Sequence, residues 1–216
     1  MKYLIISDIH LNEKFDKGKN KFLLNLIKDY ENIVINGDLW EAAYVDIEKF
    51  KKVWNELLQE LKKKNTTYLY GNHDEEQDAK KLAEYFASEK GLVKEIKSGE
   101  YKFHIEHGSA FYPNNGNSYI SYKKPWRRLQ NEIFQFVERI ILKFNPSHDF
   151  NLGFNKVMKK DEMDRIPDDE ILICGHSHAP EMNLKENYIN EGFILGGVGN
   201  YLVIEDGKLD FKTEKY

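Results

Sequence analysis

The sequence has little cysteine, and this bears on where the protein works. Cys174 is the single cysteine among 216 residues. No disulfide can therefore form within the chain, and a composition of this kind is typical of a reducing cytosol. The apolar residues before Cys174 predict a buried strand position for it. We therefore expect a cytoplasmic protein without a disulfide framework.

Long apolar runs are also missing. The segment from Met1 to Ile6 reaches Ser7 and Asp8 at once, which is too short for a signal peptide or a membrane span. No other segment approaches about 18 uninterrupted apolar residues. We expect a soluble protein, in contact with a membrane at most peripherally, at its inner surface.

The chain lacks an excess of charge of either sign. It carries 32 Lys and Arg against 36 Asp and Glu, for a formal net charge of −4. This balance argues against nucleic acid as the main partner, although it leaves room for a local basic patch. Internal repeats, low-complexity tracts and linkers are absent as well, and the length suits one substantial core. We therefore predict a single domain over residues 1–216.

The hydrophobic pattern predicts an α/β fold, because short apolar runs alternate with amphipathic segments in the first half. The predicted helices are Lys21–Tyr30, Asp46–Lys63 and Asp78–Ser88. The predicted strands are Tyr3–Ile6, Ile33–Ile35, Thr66–Tyr70, Leu92–Ile96, Tyr101–Glu106, Ile171–Cys174, Tyr188–Asn190, Tyr201–Glu205 and Lys208–Thr213.

A long aromatic-rich insertion separates two of these strands. From about Tyr119 to Asp164 it carries an apolar stripe at helical spacing, opened by Pro125. The stripe comprises Trp126, Leu129, Ile133, Phe134, Phe136, Val137, Ile140, Ile141 and Phe144. An apolar stripe of this kind is more often core than a ligand-binding lid, but the insertion begins and ends beside polar motifs. Both interpretations remain open.

Polar residues follow five of the predicted strands at the point where each strand ends. These residues are Asp8 and His10; Asp38; Asn72, His73 and Asp74; His107; and His176 and His178. Ligands of α/β sheets usually bind at such strand ends. In the Asp-x-His and His-x-His pairs, residues two apart in an extended chain project to the same side. The adjacent glycines allow sharp turns and leave room for ions and phosphate.

The donor chemistry indicates a metal site. Carboxylate, imidazole and amide donors together suit borderline divalent cations such as Mn²⁺, Fe²⁺, Zn²⁺ or Ni²⁺. Seven of these residues, all except His73 and Asp74, are candidate ligands. Seven ligands at five strand ends favour more than one ion. Taken singly, each residue would more often cap a strand or satisfy a loop.

These motifs, taken in order, resemble those of the calcineurin-like metallophosphoesterases. The resemblance implies two packed β-sheets flanked by helices, in a four-layer α/β/β/α sandwich. It further implies that one ion is held by Asp8, His10 and His178, and a second by Asn72, His107 and His176. Asp38 would bridge the two ions, of which Mn²⁺ is the expected metal.

The resemblance also implies a reaction. A hydroxide shared by the two ions would attack phosphorus in line, while His73 protonates or stabilises the leaving oxygen. Asp74 either orients His73 or closes the turn. Many members of the family have an aspartate three residues after the bridging aspartate, where this chain has Glu41.

The segment Gly37-Asp38-Leu39-Trp40-Glu41-Ala42 is similar to the subgroup that contains UDP-2,3-diacylglucosamine hydrolase, a pyrophosphatase with a helical insertion over its site. Two positions differ, since that subgroup usually has arginine at His73 and aspartate at Ser109. Near the start of the insertion, Lys124, Arg127 and Arg128 are candidate substrate contacts or else an ordinary solvated helix end.

The sequence thus predicts hydrolysis of a phosphoester or phosphoanhydride bond in a small-molecule or lipid-linked phosphodiester or pyrophosphate. A nuclease is one alternative. A metal-binding interaction module that has lost catalysis is another, although every expected ligand is present. Neither the substrate nor the oligomeric state follows from the sequence.

Overall fold

The computed structural model describes residues 1–41, 45–74, 77–109 and 152–216, together with residues 133, 137, 140 and 141. Within them the chain forms two β-sheets with helices packed on their outer faces. The fold is therefore the predicted four-layer α/β/β/α sandwich.

The first sheet has seven strands and a parallel centre. Its strands are β1 (Lys2–Ile6), β2 (Asn32–Asn36), β3 (Asn65–Leu69), β4 (Glu89–Gly91), β10 (Ile194–Leu195), β11 (Val198–Glu205) and β12 (Lys208–Lys215). The order is β10-β11-β1-β2-β3-β4, and β12 pairs with β11. The strands β1 to β4 run parallel, which brings their carboxyl ends to one edge of the sheet.

The second sheet has five strands in the order β5-β6-β7-β9-β8. These are β5 (Val93–Ser98), β6 (Tyr101–Glu106), β7 (Glu170–Cys174), β8 (Glu181–Asn183) and β9 (Tyr188–Asn190). Because β6 and β7 are parallel neighbours, His107 and the loop after Cys174 leave the sheet at the same end.

Helices cover both outer faces. The first sheet carries α1 (Lys17–Lys28), α2 (Ile47–Val53), α3 (Asn55–Lys62) and α4 (Gln77–Phe86), and the second carries α5 (Leu152–Met163). Strand β1 shows why the sandwich forms. Leu4 and Ile6 pack under the helices while Ile5 faces the second sheet, so alternate residues fill both interfaces.

The structure corrects the prediction of one helix from Asp46 to Lys63. The segment forms α2 and α3, with a break at Trp54, whose backbone (φ −105°, ψ 19°) leaves the helical region. The indole of Trp54 is buried and donates a hydrogen bond to the carbonyl of Asn12 at 2.7 Å. The apolar spacing continues through the break, so hydrophobic periodicity alone does not show it.

Other element bounds differ by a few residues, and three short strands, β4, β8 and β10, were not predicted. Cys174 is fully buried at the end of β7, as expected. No helix in the described part of the chain is both long and apolar enough to cross a membrane.

The described part of the predicted insertion includes helix α5. Its Met158 packs with Leu172, Cys174 and Tyr188 on the outer face of the second sheet. Most of the remaining insertion lies outside the described residues, so its proposed role as a lid stays a prediction.

Candidate binuclear metal centre

The candidate metal ligands from both sheets meet at one end of the sandwich. Asp8 and His10 follow β1, Asp38 follows β2, and Asn72 follows β3. His107 follows β6, while His176 and His178 follow β7. All seven predicted ligands therefore lie at strand ends, where parallel strands direct their carboxyl ends to a common edge.

Asp8, His10 and His178 form the first cluster. Their ligand atoms all lie within 4.8 Å of one another. Nε2 of His178 lies 3.2 Å from Oδ1 of Asp8 and 3.1 Å from Nε2 of His10. Two imidazole nitrogens and a carboxylate oxygen that face a common point are a suitable donor set for a divalent cation.

Asp38, His107 and His176 form the second cluster, again with ligand atoms within 4.8 Å. Nε2 of His107 lies 3.2 Å from Oδ2 of Asp38 and 3.2 Å from the side-chain oxygen of Asn72. Asn72 is thus placed to add an amide oxygen to this donor set.

Asp38, a member of the second cluster, also lies next to the first cluster. Its Oδ2 is 3.2 Å from His107 and 3.9 Å from Nε2 of His10, one candidate ligand from each side. Its Oδ1 accepts a hydrogen bond from the backbone N–H of His73 at 2.9 Å, which fixes the carboxylate plane. The geometry suits the bridging position that was predicted for Asp38.

The backbone at this centre is in an uncommon conformation. Five candidate ligands have positive φ angles of 48° to 62°: Asp8, His10, Asp38, His176 and His178. Such angles are costly for residues with side chains and cluster at functional sites. These side chains are thus directed toward one point at the cost of local backbone strain.

Glycines make the close approach possible. A Cβ at Gly71 would lie 2.2 Å from Oδ1 of Asp38, and one at Gly175 would lie 2.4 Å from Oδ2 of Asp8. Both positions therefore require glycine, which agrees with the room that the sequence predicted beside the motifs.

Hydrogen bonds at Nδ1 orient two of the candidate ligands. Nδ1 of His107 lies 2.7 Å from the carbonyl of Asn36, which can only accept, so His107 donates from Nδ1. Nδ1 of His10 lies 3.0 Å from the Glu41 carboxylate. A proton on Nδ1 leaves the Nε2 lone pair for a metal, and such partners are typical of metal-ligating histidines.

The electrostatic environment of His107 favours its positively charged form. Burial opposes ionisation, yet the carboxylates of Asp38 and Asp8 raise the pKa of His107 to about 10. In turn, His107 and His178 hold the pKa of Asp8 well below its usual value despite burial. Burial and the charge of His107 lower the pKa of His176 to about 3, so this imidazole stays neutral. Carboxylates that stabilise a positive charge, together with a neutral imidazole, fit a divalent cation.

His73 lies at the edge of the centre. Its ring is edge-on to that of His10, with centroids 4.8 Å apart, and its Nε2 is 3.9 Å from Oδ2 of Asp38. Nδ1 of His73 contacts Oε2 of Glu41 at 2.7 Å. Although burial opposes the charge, Glu41 and Asp38 raise the pKa of His73 to about 10. His73 thus holds a proton beside the clusters.

Asp74 closes the turn after β3, which is one of the two roles that the sequence left open. Its Oδ2 accepts backbone N–H hydrogen bonds from Gly71 at 2.9 Å and Asp38 at 2.8 Å. Burial and the nearby Asp38 raise its pKa to about 7. The structure therefore shows Asp74 holding together the two loops that carry Asp38 and Asn72.

Some site residues were not predicted from the sequence, and others lie outside the described residues. The resemblance placed Glu41 at a position where many family members have aspartate, but it gave no sign of the contact of Glu41 to His10. Asn155 on α5 contacts the loop of His176 and His178, and no motif marks it. Lys124, Arg127 and Arg128, the candidate substrate contacts, lie outside the described residues.

Known proteins share this fold. The family model of the calcineurin-like phosphoesterases matches residues 1–180. A solved archaeal phosphodiesterase aligns with all of both chains at 16% identity and a TM-score of 0.52. The phosphoesterase YfcE from E. coli aligns over 97% of this chain and 91% of its own at 15% identity, with a TM-score of 0.52. A comparison with curated proteins gave no match.

At these identities the two solved structures support the fold alone. The family match covers most of the chain, including every candidate ligand. The protein therefore belongs to the calcineurin-like phosphoesterase family, as the motif series predicted.

Proposed function

We propose that this protein is a hydrolase that requires two divalent metal ions and cleaves a phosphoester or phosphoanhydride bond. One observation carries the proposal. Two clusters of metal-ligating atoms, one from Asp8, His10 and His178 and one from Asp38, His107 and His176, lie side by side, and Asp38 of the second cluster is 3.9 Å from His10 of the first. When bound, two such ions would activate water and neutralise phosphate oxygens.

The donor set favours particular metals. Each cluster mixes imidazole nitrogen with carboxylate oxygen. This mixture suits Mn²⁺, Fe²⁺, Zn²⁺ or Ni²⁺, and among these Mn²⁺ is the metal that the resemblance to the family implies. Mg²⁺ and Ca²⁺ prefer all-oxygen sites and should support less activity.

His73 would supply the proton for the leaving group. Its pKa is raised to about 10, because Glu41 and Asp38 outweigh the effect of burial, and this favours the protonated form. Glu41 contacts Nδ1 and leaves Nε2 directed toward Asp38, on the side of the metal clusters. A proton held at Nε2 is suitably placed for general acid catalysis.

We further propose a small-molecule or lipid-linked phosphodiester or pyrophosphate as the substrate, as in UDP-2,3-diacylglucosamine hydrolase. Ile133, Val137 and Ile140 support this class, since they are helical residues three or four apart that remain largely exposed. Exposed apolar side chains at this spacing suit a lid that receives an acyl chain. Lys124, Arg127 and Arg128 would then contact phosphate, and a lipid substrate would bring a cytoplasmic protein to the inner membrane surface.

A substrate screen tests this proposal. The protein, loaded in turn with Mn²⁺, Zn²⁺, Ni²⁺ and Mg²⁺, is offered phosphomonoesters, cyclic nucleotides, nucleotide sugars, lipid pyrophosphates and DNA. We expect turnover of a diester or pyrophosphate with Mn²⁺, and two bound ions per chain by elemental analysis. Asp38→Asn is the control variant, and it should lose both ions and nearly all turnover.

Three results would contradict the proposal in whole or in part. Cleavage of DNA alone would identify a nuclease. Binding of two metal ions without turnover of any substrate would identify a metal-binding interaction module. An Asp38→Asn protein that keeps two ions and full activity would show that Asp38 does not bridge.

A further inference from the structure

We infer that Asn155, on helix α5, is a positioning residue that holds the loop of His176 and His178 in its metal-binding conformation. The inference rests on the proposed function, because it assigns these histidines to a metal site. Asn155 touches neither cluster directly. It acts through Ser177, the residue between the two histidines, and so connects the insertion to the metal centre.

The contacts of Asn155 form a buried polar network. Its side-chain oxygen accepts hydrogen bonds from the hydroxyls of Ser177 and Tyr188, both at 2.8 Å, and from the amide of Asn190 at 3.3 Å. Its own amide donates to Glu181 at 3.0 Å. The residue is 1% exposed, so loss of these bonds would leave buried polar groups without partners.

Asn190 extends the network beneath the loop. Its amide also donates to the carbonyl of Gly175 at 2.8 Å and to the hydroxyl of Ser177 at 3.0 Å. Its side-chain oxygen accepts from the backbone N–H of Gly192 at 2.9 Å. Two asparagine side chains thus hold the loop from below, one from β9 and one from α5.

The loop needs such support because its conformation is strained. His176 and His178 have φ angles of 62° and 53°, which cost free energy in residues with side chains. Gly175, which precedes them, has no room for a side chain beside Asp8. A loop in this state relaxes unless its surroundings hold it, and Ser177 is the point where the network meets it.

Helix α5 is well anchored and can serve as the support. Met158, one turn after Asn155, is fully buried against Leu172 and Cys174. Lys159 contacts Glu181 at 2.7 Å and lies over the ring of Tyr188. Because α5 belongs to the predicted insertion, Asn155 ties the position of the insertion to the geometry of the ligands.

Two variants on the same helix separate positioning from simple stability. Asn155→Ala removes the bonds to the loop, whereas Lys159→Met removes ion pairs to Glu181 and Glu186 and leaves the bonds to the loop in place. Three quantities are measured for each variant: the melting temperature, the Mn²⁺ affinity by calorimetry, and amide hydrogen exchange of residues 175–178 with a chelator present.

We expect Asn155→Ala to weaken Mn²⁺ binding by about 10- to 100-fold, the usual cost of losing a residue that orients metal ligands. Exchange at residues 175–178 should become faster. Lys159→Met should lower the melting temperature while both of these measurements stay as in the wild type. If both variants only lower the melting temperature, Asn155 has no positioning role and the inference is wrong.

A third variant covers the case in which Asn155→Ala does not fold. Ser177→Ala removes the loop side of the same bond and disturbs the core less. Weaker Mn²⁺ binding together with faster exchange at residues 175–178 would support the inference, and wild-type values of both would overturn it. In a folded double variant, the two changes should be less than additive, because both break one interaction.

A failure of this inference can be distinguished from a failure of the proposed function. If the wild type binds Mn²⁺ but hydrolyses no phosphate compound, the proposed function fails, while the affinity comparison still decides the role of Asn155. If the wild type binds no Mn²⁺ at all, hydrogen exchange in the chelated protein decides it.

Discussion

Glu41 contacts Nδ1 of His73 at 2.7 Å through one carboxylate oxygen, and its other oxygen contacts Nδ1 of His10 at 3.0 Å. One buried side chain thus orients both the proposed proton donor and a candidate metal ligand. The two histidines in turn hold the pKa of Glu41 well below its usual value despite burial. An aspartate, one methylene shorter, has less reach to span both rings.

The first prediction concerns this double contact. Glu41→Gln should lower both the metal content and kcat, because the amide NH2 that replaces one carboxylate oxygen can only donate and would face one of the two Nδ1–H groups. Glu41→Asp should keep one contact and lose the other. We expect losses of about 10- to 100-fold in metal affinity or rate. Calorimetry with Mn²⁺ and steady-state kinetics measure the two effects separately.

Glu48→Gln is a suitable control, because Glu48 is an exposed carboxylate on α2. It should leave both quantities unchanged. If Glu41→Gln behaves like this control, the carboxylate has no role in orienting the two histidines.

The second prediction concerns His73. His73→Ala should retain both metal ions but lose about 10²- to 10⁴-fold in kcat, the range typical of a missing general acid. The loss should be smaller for substrates with good leaving groups, which need little protonation. Kinetics on a series of aryl phosphodiesters of graded leaving-group pKa measure this dependence, and elemental analysis measures the metal content. An equal loss across the series would exclude proton donation by His73.

Much of the site could be predicted because its chemistry lies in short motifs. Polar residues after apolar runs identify strand ends, and parallel strands bring those ends together. Asp8, His10, Asp38, Asn72 and His107 could be placed in this way. The four-layer fold followed from the resemblance of the motif series to a family, and the alternating pattern was consistent with it.

What could not be predicted depends on long-range contacts. The break at Trp54 arises where its indole reaches Asn12, and no local signal marks it. Asn155 lies in the insertion, 22 positions before Ser177, so only the folded chain shows that they touch. The positive φ angles of the ligands are likewise imposed by the surrounding structure.

The third prediction concerns Glu191, a fully buried carboxyl that accepts a hydrogen bond from Asn36 at 2.7 Å. Burial raises its pKa to about 8 from an ordinary 4.5. Between these two values the folded state keeps a proton that the unfolded state releases. Stability should therefore fall as the pH rises through this window, by about 1.4 kcal/mol per unit from this group.

Glu191→Gln replaces the neutral acid with a neutral amide of the same shape. Chemical denaturation with a chelator present, from pH 5 to pH 8, should show a smaller loss of stability than in the wild type. Parallel profiles for the two proteins would mean that Glu191 is ionised in the folded state.

The last prediction concerns three exposed apolar residues of the predicted stripe. Ile133, Val137 and Ile140 are 54%, 44% and 44% exposed, so they contribute little to the core of the described structure. If the stripe receives an acyl chain, Ile133→Ser with Val137→Ser should raise KM for a lipid-linked substrate and spare a small chromogenic ester. Leu92→Ser is a matched control, because Leu92 is 69% exposed and lies outside the insertion.

The physical reason for this difference between substrates is that transfer of apolar surface from water contributes about 25 cal/mol per Å². A small ester leaves the stripe uncovered and gains nothing from it, whereas an acyl chain loses binding energy when the stripe becomes polar. Kinetics on both substrates and thermal melts of all variants measure the effect. A large drop in melting temperature with the same KM for both substrates would show that the stripe is core, and the lid would be excluded.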